Sequence, residues 1–345
     1  MTNLKYNSRA RKKGIQKAKR EKEIKKRKKN GWLFSLNKLN STIEIKPPIK
    51  APKIFSLTSE PLKTLFFFNQ LRVKSNYTNF KGRLSIRISL ANVKEIDFAS
   101  ISILKSIMEE AKFSGILFSG DLPKDEYCKK SLVDYGFFKS LVDENKNEIN
   151  IKSKGEHFSF EKKSGRVTEK DLIYFDKLST NTFNHIKGTD NPNNYIEDLI
   201  VILKEISGNA VEWSNSHNEQ WLLGILKEEN KVTFTVTDLG KGILETLYVS
   251  DKLKILDLFF FRNKIDMLEK AFDRKYGSVS QEVNRNRGLP SIKKAFIENH
   301  IKNLIVCTND VILHFNNYGK TIMLKENLYF QGTFYQREIT NDCNI

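Results

Sequence analysis

The sequence predicts an α/β (α+β) protein with two folded units behind a basic arm. Three observations carry this. Leu84-Ser85-Ile86-Arg87-Ile88-Ser89-Leu90 alternates with period two, as a half-buried strand does. Ile196, Leu199, Ile200, Leu203, Ile206 and Ala210 recur at helical spacing, which predicts an amphipathic helix over 194–213. Trp221-Leu222-Leu223-Gly224-Ile225-Leu226 and Val232-Thr233-Phe234-Thr235-Val236-Thr237 read as antiparallel strands joined through Lys227-Glu228-Glu229-Asn230.

Composition bounds the rest. At 345 residues the chain can hold two ordinary domains with cores. The apolar run Ile255-Leu256-Asp257-Leu258-Phe259-Phe260-Phe261 is far too short to span a bilayer and contains an acid, so no membrane span is expected. No apolar stretch follows the basic start, so a secretory signal is not expected. Cys128, Cys307 and Cys343 are scattered without metal-ligand spacing, which points to a reducing, cytoplasmic setting.

Residues 1–30 hold 14 of the 59 Lys/Arg against two of the 41 acids, so they carry most of the net charge of +18. With almost nothing apolar to bury, this arm is expected to be disordered or a solvated helix. Arg9, Arg11, Lys12, Lys13, Lys25, Lys26, Arg27, Lys28 and Lys29 are its candidate contacts to nucleic acid or ribonucleoprotein, each releasing counterion as it neutralises a phosphate. A solubilising tail without a specific partner is the plain alternative. An anionic membrane surface is a third, though the arm has no apolar face to insert. Ile45-Lys46-Pro47-Pro48-Ile49-Lys50-Ala51-Pro52 then reads as an extended connector, closing a first segment at 1–53.

Residues 54–149 read as a small α/β unit. After the strand at 84–90, Ile96-Asp97-Phe98-Ala99-Ser100 leads into a helix through Met108. A second strand follows at 115–120, then a helix from Lys129 stopped by Gly136 with Phe137-Phe138 packing back. This order, with Ile-Asp-x-x-Ser opening a helix, resembles the STAS-type domain of anti-sigma-factor antagonists. That family has a phosphate-accepting serine in an Asp-Ser-Ser-Gly turn. Here the acceptor position is Ala99 and the glycine position Ser100, so Asp97 and Ser100 are expected to cap the helix instead.

Residues 150–189 are polar and broken, and read as a connector with a hairpin. From 190 to 345 the pattern sharpens. Glu205 and Asn209 lie four apart on the 194–213 helix, hence on one side. The second strand of the pair runs into Asp238-Leu239-Gly240-Lys241-Gly242-Ile243, which aims a carboxylate at a turn whose backbone can approach a ligand. Asn286-Arg287-Gly288-Leu289 opens a further helix, and a glycine turn at a helix start is a ready phosphate site. Strands are expected at 304–307, 311–315 and 333–339.

In order and spacing, Glu205-Ile206-Ser207-Gly208-Asn209-Ala210, the Asp238–Ile243 segment and Arg287-Gly288-Leu289 resemble the three nucleotide boxes of the GHKL ATPase domain shared by histidine kinases and gyrases. The resemblance implies an α/β sandwich with a mixed sheet, binding ATP with Mg²⁺. It implies that Asn209 coordinates Mg²⁺, that Asp238 accepts from the adenine amino group, and that Gly240 and Gly242 let the backbone pass the base. Gly288 and Leu289 would bind phosphates with Arg287 nearby, and Glu205 would orient water as general base.

Two positions depart from the family, Asn286 for a glycine and Trp213 where regulatory relatives often carry His. His185, His217 and His300 sit in no phosphoacceptor motif, so an autophosphorylating kinase is not expected. The resemblance implies a bacterial regulator acting as Mg-dependent ATPase or serine-kinase-like switch, with an unidentified protein partner and compatible with a homodimer. The alternative is a non-catalytic nucleic-acid-binding adaptor on a degenerate GHKL fold. Finally, Glu326-Asn327-Leu328-Tyr329-Phe330-Gln331-Gly332 matches a protease site used to release tags, yet the alternation continuing to Ile339 and a Phe-x-Gly-Thr ending like that of regulatory GHKL strands favour a native strand.

The arm generates a direct test. Binding of the full chain to DNA or RNA should weaken steeply as salt rises, and deletion of residues 1–30 should abolish it in an electrophoretic or anisotropy titration. Salt-insensitive binding, or none, leaves the solubilising tail.

Overall fold

The computed structural model describes residues 42–75, 83–113, 115–138, 158–213, 220–248, 264–273, 277–278, 288–325 and 328–345. The basic arm from Arg9 to Lys29 lies outside the described residues, as does Arg287.

The first unit runs β1 (Thr42–Lys50), β2 (Ile54–Phe55), α1 (Pro61–Ser75), β3 (Arg83–Ser89), β4 (Glu95–Ile96), α2 (Phe98–Phe113), β5 (Ile116–Asp121) and α3 (Glu126–Asp134). Three strands form a parallel sheet in the order β1-β3-β5, and β2 pairs with β4, also parallel. Parallel pairing requires crossovers, which α1 and α2 supply. The stretch expected as a free connector is in part a correction: it is extended, but most of it is edge strand β1. Proline cannot donate to a ladder and is tolerated at edges and bulges. Pro47 and Pro48 fall where the β1–β3 register shifts, between Ile45 and Ile49.

Asp97 caps α2 as expected, its carboxylate accepting from the Ser100 amide at 2.7 Å and from the Ser56 and Thr58 hydroxyls at 2.7 and 3.1 Å. From Phe98 to Ile107 every residue of α2 is buried. A helix buried all round must be covered on both sides. One side packs on β5, the other on β7 and β8 of the second unit. Lys105 belongs to this run; its ammonium donates to the Phe137 carbonyl at 3.2 Å, and burial pushes it down to about 8.

The second unit contains β6 (Phe158–Ser164), α4 (Glu169–Lys187), α5 (Glu197–Trp213), β7 (Gln220–Glu228), β8 (Lys231–Asp238), α6 (Ile243–Thr246), β9 (Leu247–Tyr248), α7 (Lys264–Phe272), β10 (Gly277–Ser278), α8 (Gly288–Ile297), β11 (Lys302–Asn309), β12 (Val311–His314), β13 (Ile322–Met323) and β14 (Phe330–Thr340). Its main sheet has the order β13-β12-β11-β14-β8-β7-β6. Every pairing in it is antiparallel, which corrects the mixed sheet expected for this unit. The α/β class itself stands.

The 150–189 connector is also corrected. β6 is an edge strand of this sheet, and α4 is a 19-residue helix opened by a capping box between Thr168 and Asp171 and closed at Gly188. Both were hidden by polar, charged sequence.

Both faces of the seven-stranded sheet are buried, so its strands read as apolar runs. Val232, Phe234 and Val236 of β8 share one core with Leu199, Leu203 and Ile206 of α5. On the other face Leu239, Ile305, Cys307, Ile312, Phe330 and Phe334 join the core of the first unit. The α2–sheet contact is close because its residues are small. The Thr235 hydroxyl donates to Ser102 Oγ at 2.9 Å, and a Cβ on Gly224 would lie 2.4 Å from Thr235 Oγ1 and 3.2 Å from the Phe98 ring.

The segment matching a protease site enters β14, between β11 and β8, with Phe330 only 2% exposed. A removable appendage does not occupy the interior of a sheet. Among the described residues no helix is long and apolar enough to cross a membrane, and the three cysteines are buried and free.

Arg337 on β14 is fully buried, stacks over the Phe234 ring at 5.4 Å, and has no hydrogen-bond partner for any of its three guanidinium nitrogens among the described residues. Burial lowers its ionisation to about 9. A buried charge without a partner costs stability. Arg337→Met should therefore raise stability by about 1–3 kcal/mol in thermal or denaturant unfolding. A loss of stability would mean that Arg337 has a compensating partner.

Candidate functional site

The sequence-predicted residues gather in two groups around one core, to which Ile206, Ala210, Val236, Ile243 and Ile292 all belong. The first group joins α5 to α8. Gly288 is buried at the start of α8, against Glu205 and Asn209, which are half-buried on α5. A Cβ at Gly288 would lie 2.7 Å from Glu205 Oε2 and 3.3 Å from Asn209 Nδ2. Only glycine allows this approach without displacement. The amides of a helix start have no intrahelical partners and favour negative charge. Leu289 packs half-buried on the core behind them. Arg287 lies outside the described residues, so its place beside this group is undescribed.

The second group surrounds Asp238 at the end of β8. Asp238 is 6% exposed, and its carboxylate accepts from the Gly240 amide at 3.0 Å and from Thr333. Gly332 precedes Thr333 at φ +114, and a Cβ there would lie 2.2 Å from the Asp238 carbonyl oxygen. That residue must be glycine both for its left-handed φ and for the approach. Gly242 is the N-cap of α6 and presses on Asn309.

Sequence reasoning missed the residues that hold this turn. Asn309, at positive φ in the β11–β12 turn, donates to the Lys241 carbonyl at 2.8 Å and accepts from the Leu244 amide at 2.9 Å. The neighbouring Thr308 hydroxyl accepts from the Ile243 amide at 2.9 Å and donates to the Gly332 carbonyl at 3.0 Å. Arg72 of α1 donates to the Leu239 carbonyl at 3.1 Å. Thr308-Asn309-Asp310 offered only a turn signal, and Arg72 none. Of the histidines, His185 bonds the Glu228 carbonyl at 2.7 Å and His300 lies beside Asp198, while His217 lies outside the described residues.

A cleft of about 370 Å³ opens elsewhere, between the units, with Asp97, Tyr135, Lys231, His314 and Glu338 in its wall. In its wall Asp97 is engaged with Ser56, and Lys231 with Glu228 and Glu338. Among the described residues no group of three His, Cys, Asp or Glu side chains could hold a metal. An Mg²⁺ ion carried by phosphates and one amide oxygen needs no such group.

Burial pushes the Asp238 carboxyl up to about 7, against the Gly240 amide, Thr333 and the Arg72 charge. Unfolded, it would titrate near ~4. Between those values the unfolded chain gives up a proton that the folded chain keeps, so this group's contribution to stability falls as pH rises and levels off above about 7. Asp238→Asn has no such slope and can still accept from Gly240. Without nucleotide, its melting temperature relative to wild type should increase from about pH 4 to about pH 8. A difference independent of pH would overturn this assignment.

No protein-family model matches the chain and no curated protein is significantly similar to it; the chain is an α/β protein that gathers Glu205, Asn209 and Gly288 in one group and Asp238, Gly240 and Thr333 in a second.

Proposed function

We propose that the second unit binds Mg-ATP and that the chain is a nucleotide-dependent regulatory protein whose basic arm grips nucleic acid. The observation that carries the reading is the meeting of Gly288 with Glu205 and Asn209, since residues about eighty positions apart in sequence converge at a helix start. A nearly buried Asp238 beside a glycine turn supports the base-recognising half. In this reading Asp238 accepts from the adenine amino group, and Gly240 and Gly242 let the turn lie against the base.

The amides of Gly288 and Leu289 take phosphate oxygens, with Arg287 adding charge, and Asn209 offers its amide oxygen to Mg²⁺. The ion supplies charge neutralisation at the phosphates. Glu205 lies beside the phosphate end, where a carboxylate can orient water or a protein hydroxyl for attack on the terminal phosphorus. The sequence departures at Asn286 and Trp213 are the observations behind the second reading, a non-catalytic adaptor that binds nucleic acid and whose fold has lost its nucleotide.

Calorimetric titration with Mg-ATP, followed by assay of phosphate release, separates them. Wild type should bind; Asp238→Ala should lose at least about tenfold in affinity, as expected for a hydrogen bond to a charged group. Asn209→Ala should weaken binding mainly when Mg²⁺ is present, and Glu205→Gln should bind but release no phosphate. Wild type that takes no Mg-ATP would sink the enzyme reading and leave the adaptor.

A further inference from the structure

We propose that Arg72, on α1 of the first unit, is a positioning residue for the Asp238 site of the second, so that docking of the first unit sets the geometry in which Asp238 meets its ligand. This rests on reading Asp238 as the base-recognising carboxylate.

The guanidinium reaches two backbone segments that are distant in sequence and adjacent in space. One nitrogen donates to the Leu239 carbonyl at 3.1 Å, one residue after Asp238. The other donates to the Gln331 carbonyl, which precedes Gly332 and Thr333. Thr333 and the Gly240 amide are the groups that bond the Asp238 carboxylate. One side chain of the first unit thus spans the two peptide segments that bear the hydrogen-bond donors of Asp238. Glu110 of α2 faces the same guanidinium at 3.7 Å, so α1 and α2 of the first unit both take part.

Arginine suits this task because its planar fork donates in two fixed directions at once, whereas an ammonium is a point donor. The side chain is 12% exposed, so its bonds form in a largely dry environment. Electrostatics agrees with the geometry. Burial lowers the ionisation of Arg72 while Glu110 and Asp238 pull it back up, and Arg72 in turn favours the ionised form of Asp238. By linkage, a ligand that favours one arrangement of the Asp238 turn favours the docked first unit to the same extent.

The test uses the full chain as wild type, Arg72→Ala and Arg72→Lys, first in hydrogen–deuterium exchange without nucleotide and then in calorimetric titration with Mg-ATP. Exchange should speed up in Arg72→Ala over 239–244 and 331–334, by about tenfold for the loss of a charged hydrogen bond, while β7 and residues 336–339 keep their wild-type rates. Arg72→Lys should lie between. The Kd for Mg-ATP should rise by about tenfold in Arg72→Ala and be partly restored in Arg72→Lys.

Unchanged exchange in Arg72→Ala overturns the proposal, and so does faster exchange with an unchanged Kd. Wild type that takes no Mg-ATP overturns the nucleotide reading instead, and the exchange result alone then decides whether Arg72 holds the two segments. Should Arg72→Ala fail to fold, Arg72→Lys and Glu110→Gln carry the same comparison.

Discussion

The burial of α2 on both sides is the constraint on which the rest of the structure depends. A sheet with two apolar faces must be covered twice, and the helices α4, α5 and α8 cover only one face of the seven-stranded sheet. The second face carries Cys307 together with Ile305, Ile312, Phe330 and Phe334, and burial of each of these last four contributes about 1.5–3 kcal/mol. The first unit supplies that cover. Its central helix presents Ser102 and Ser106 to β7 and β8, where small residues let backbone approach backbone. The unit expected as a separate domain is therefore the other half of the second unit's core.

The candidate site inherits its geometry from this arrangement. Asp238 ends the strand whose threonines face α2 and whose valines face α5, so the packing of both cores fixes its position. A carboxylate buried there is held by the Gly240 amide, Thr333 and the Arg72 charge, while desolvation works against them and raises its affinity for the proton. The other group is built differently: α8 approaches α5 only because residue 288 has no side chain, which brings the helix start beside Glu205 and Asn209.

Much of this was legible locally. The 194–213 periodicity corresponds to α5, Glu197–Trp213, and the strand pair to β7 and β8 with one or two residues added at their ends. Asp238, the glycine turn and the helix start at Gly288 were found because each is a short-range signal of turn and cap chemistry. Capping of α2 by Asp97 was legible for the same reason.

What local pattern could not decide was which distant segments pair. Pro47 and Pro48 argue against a strand, yet an edge position and a register shift leave their missing amides unneeded. β6 and α4 carry too many charged residues to announce a buried face, and they are placed by β7 and by the core around Phe175. Whether the sheet is antiparallel or mixed depends on strand order, which hydropathy does not encode. Arg72 looks like any charged residue on a helix, and only the tertiary fold brings its guanidinium to the carbonyls of Leu239 and Gln331, because the contact spans more than 160 positions of chain. Periodicity and turn chemistry act over a few residues and are written in the sequence; the partner of a buried face or charge is settled only when the whole chain has packed.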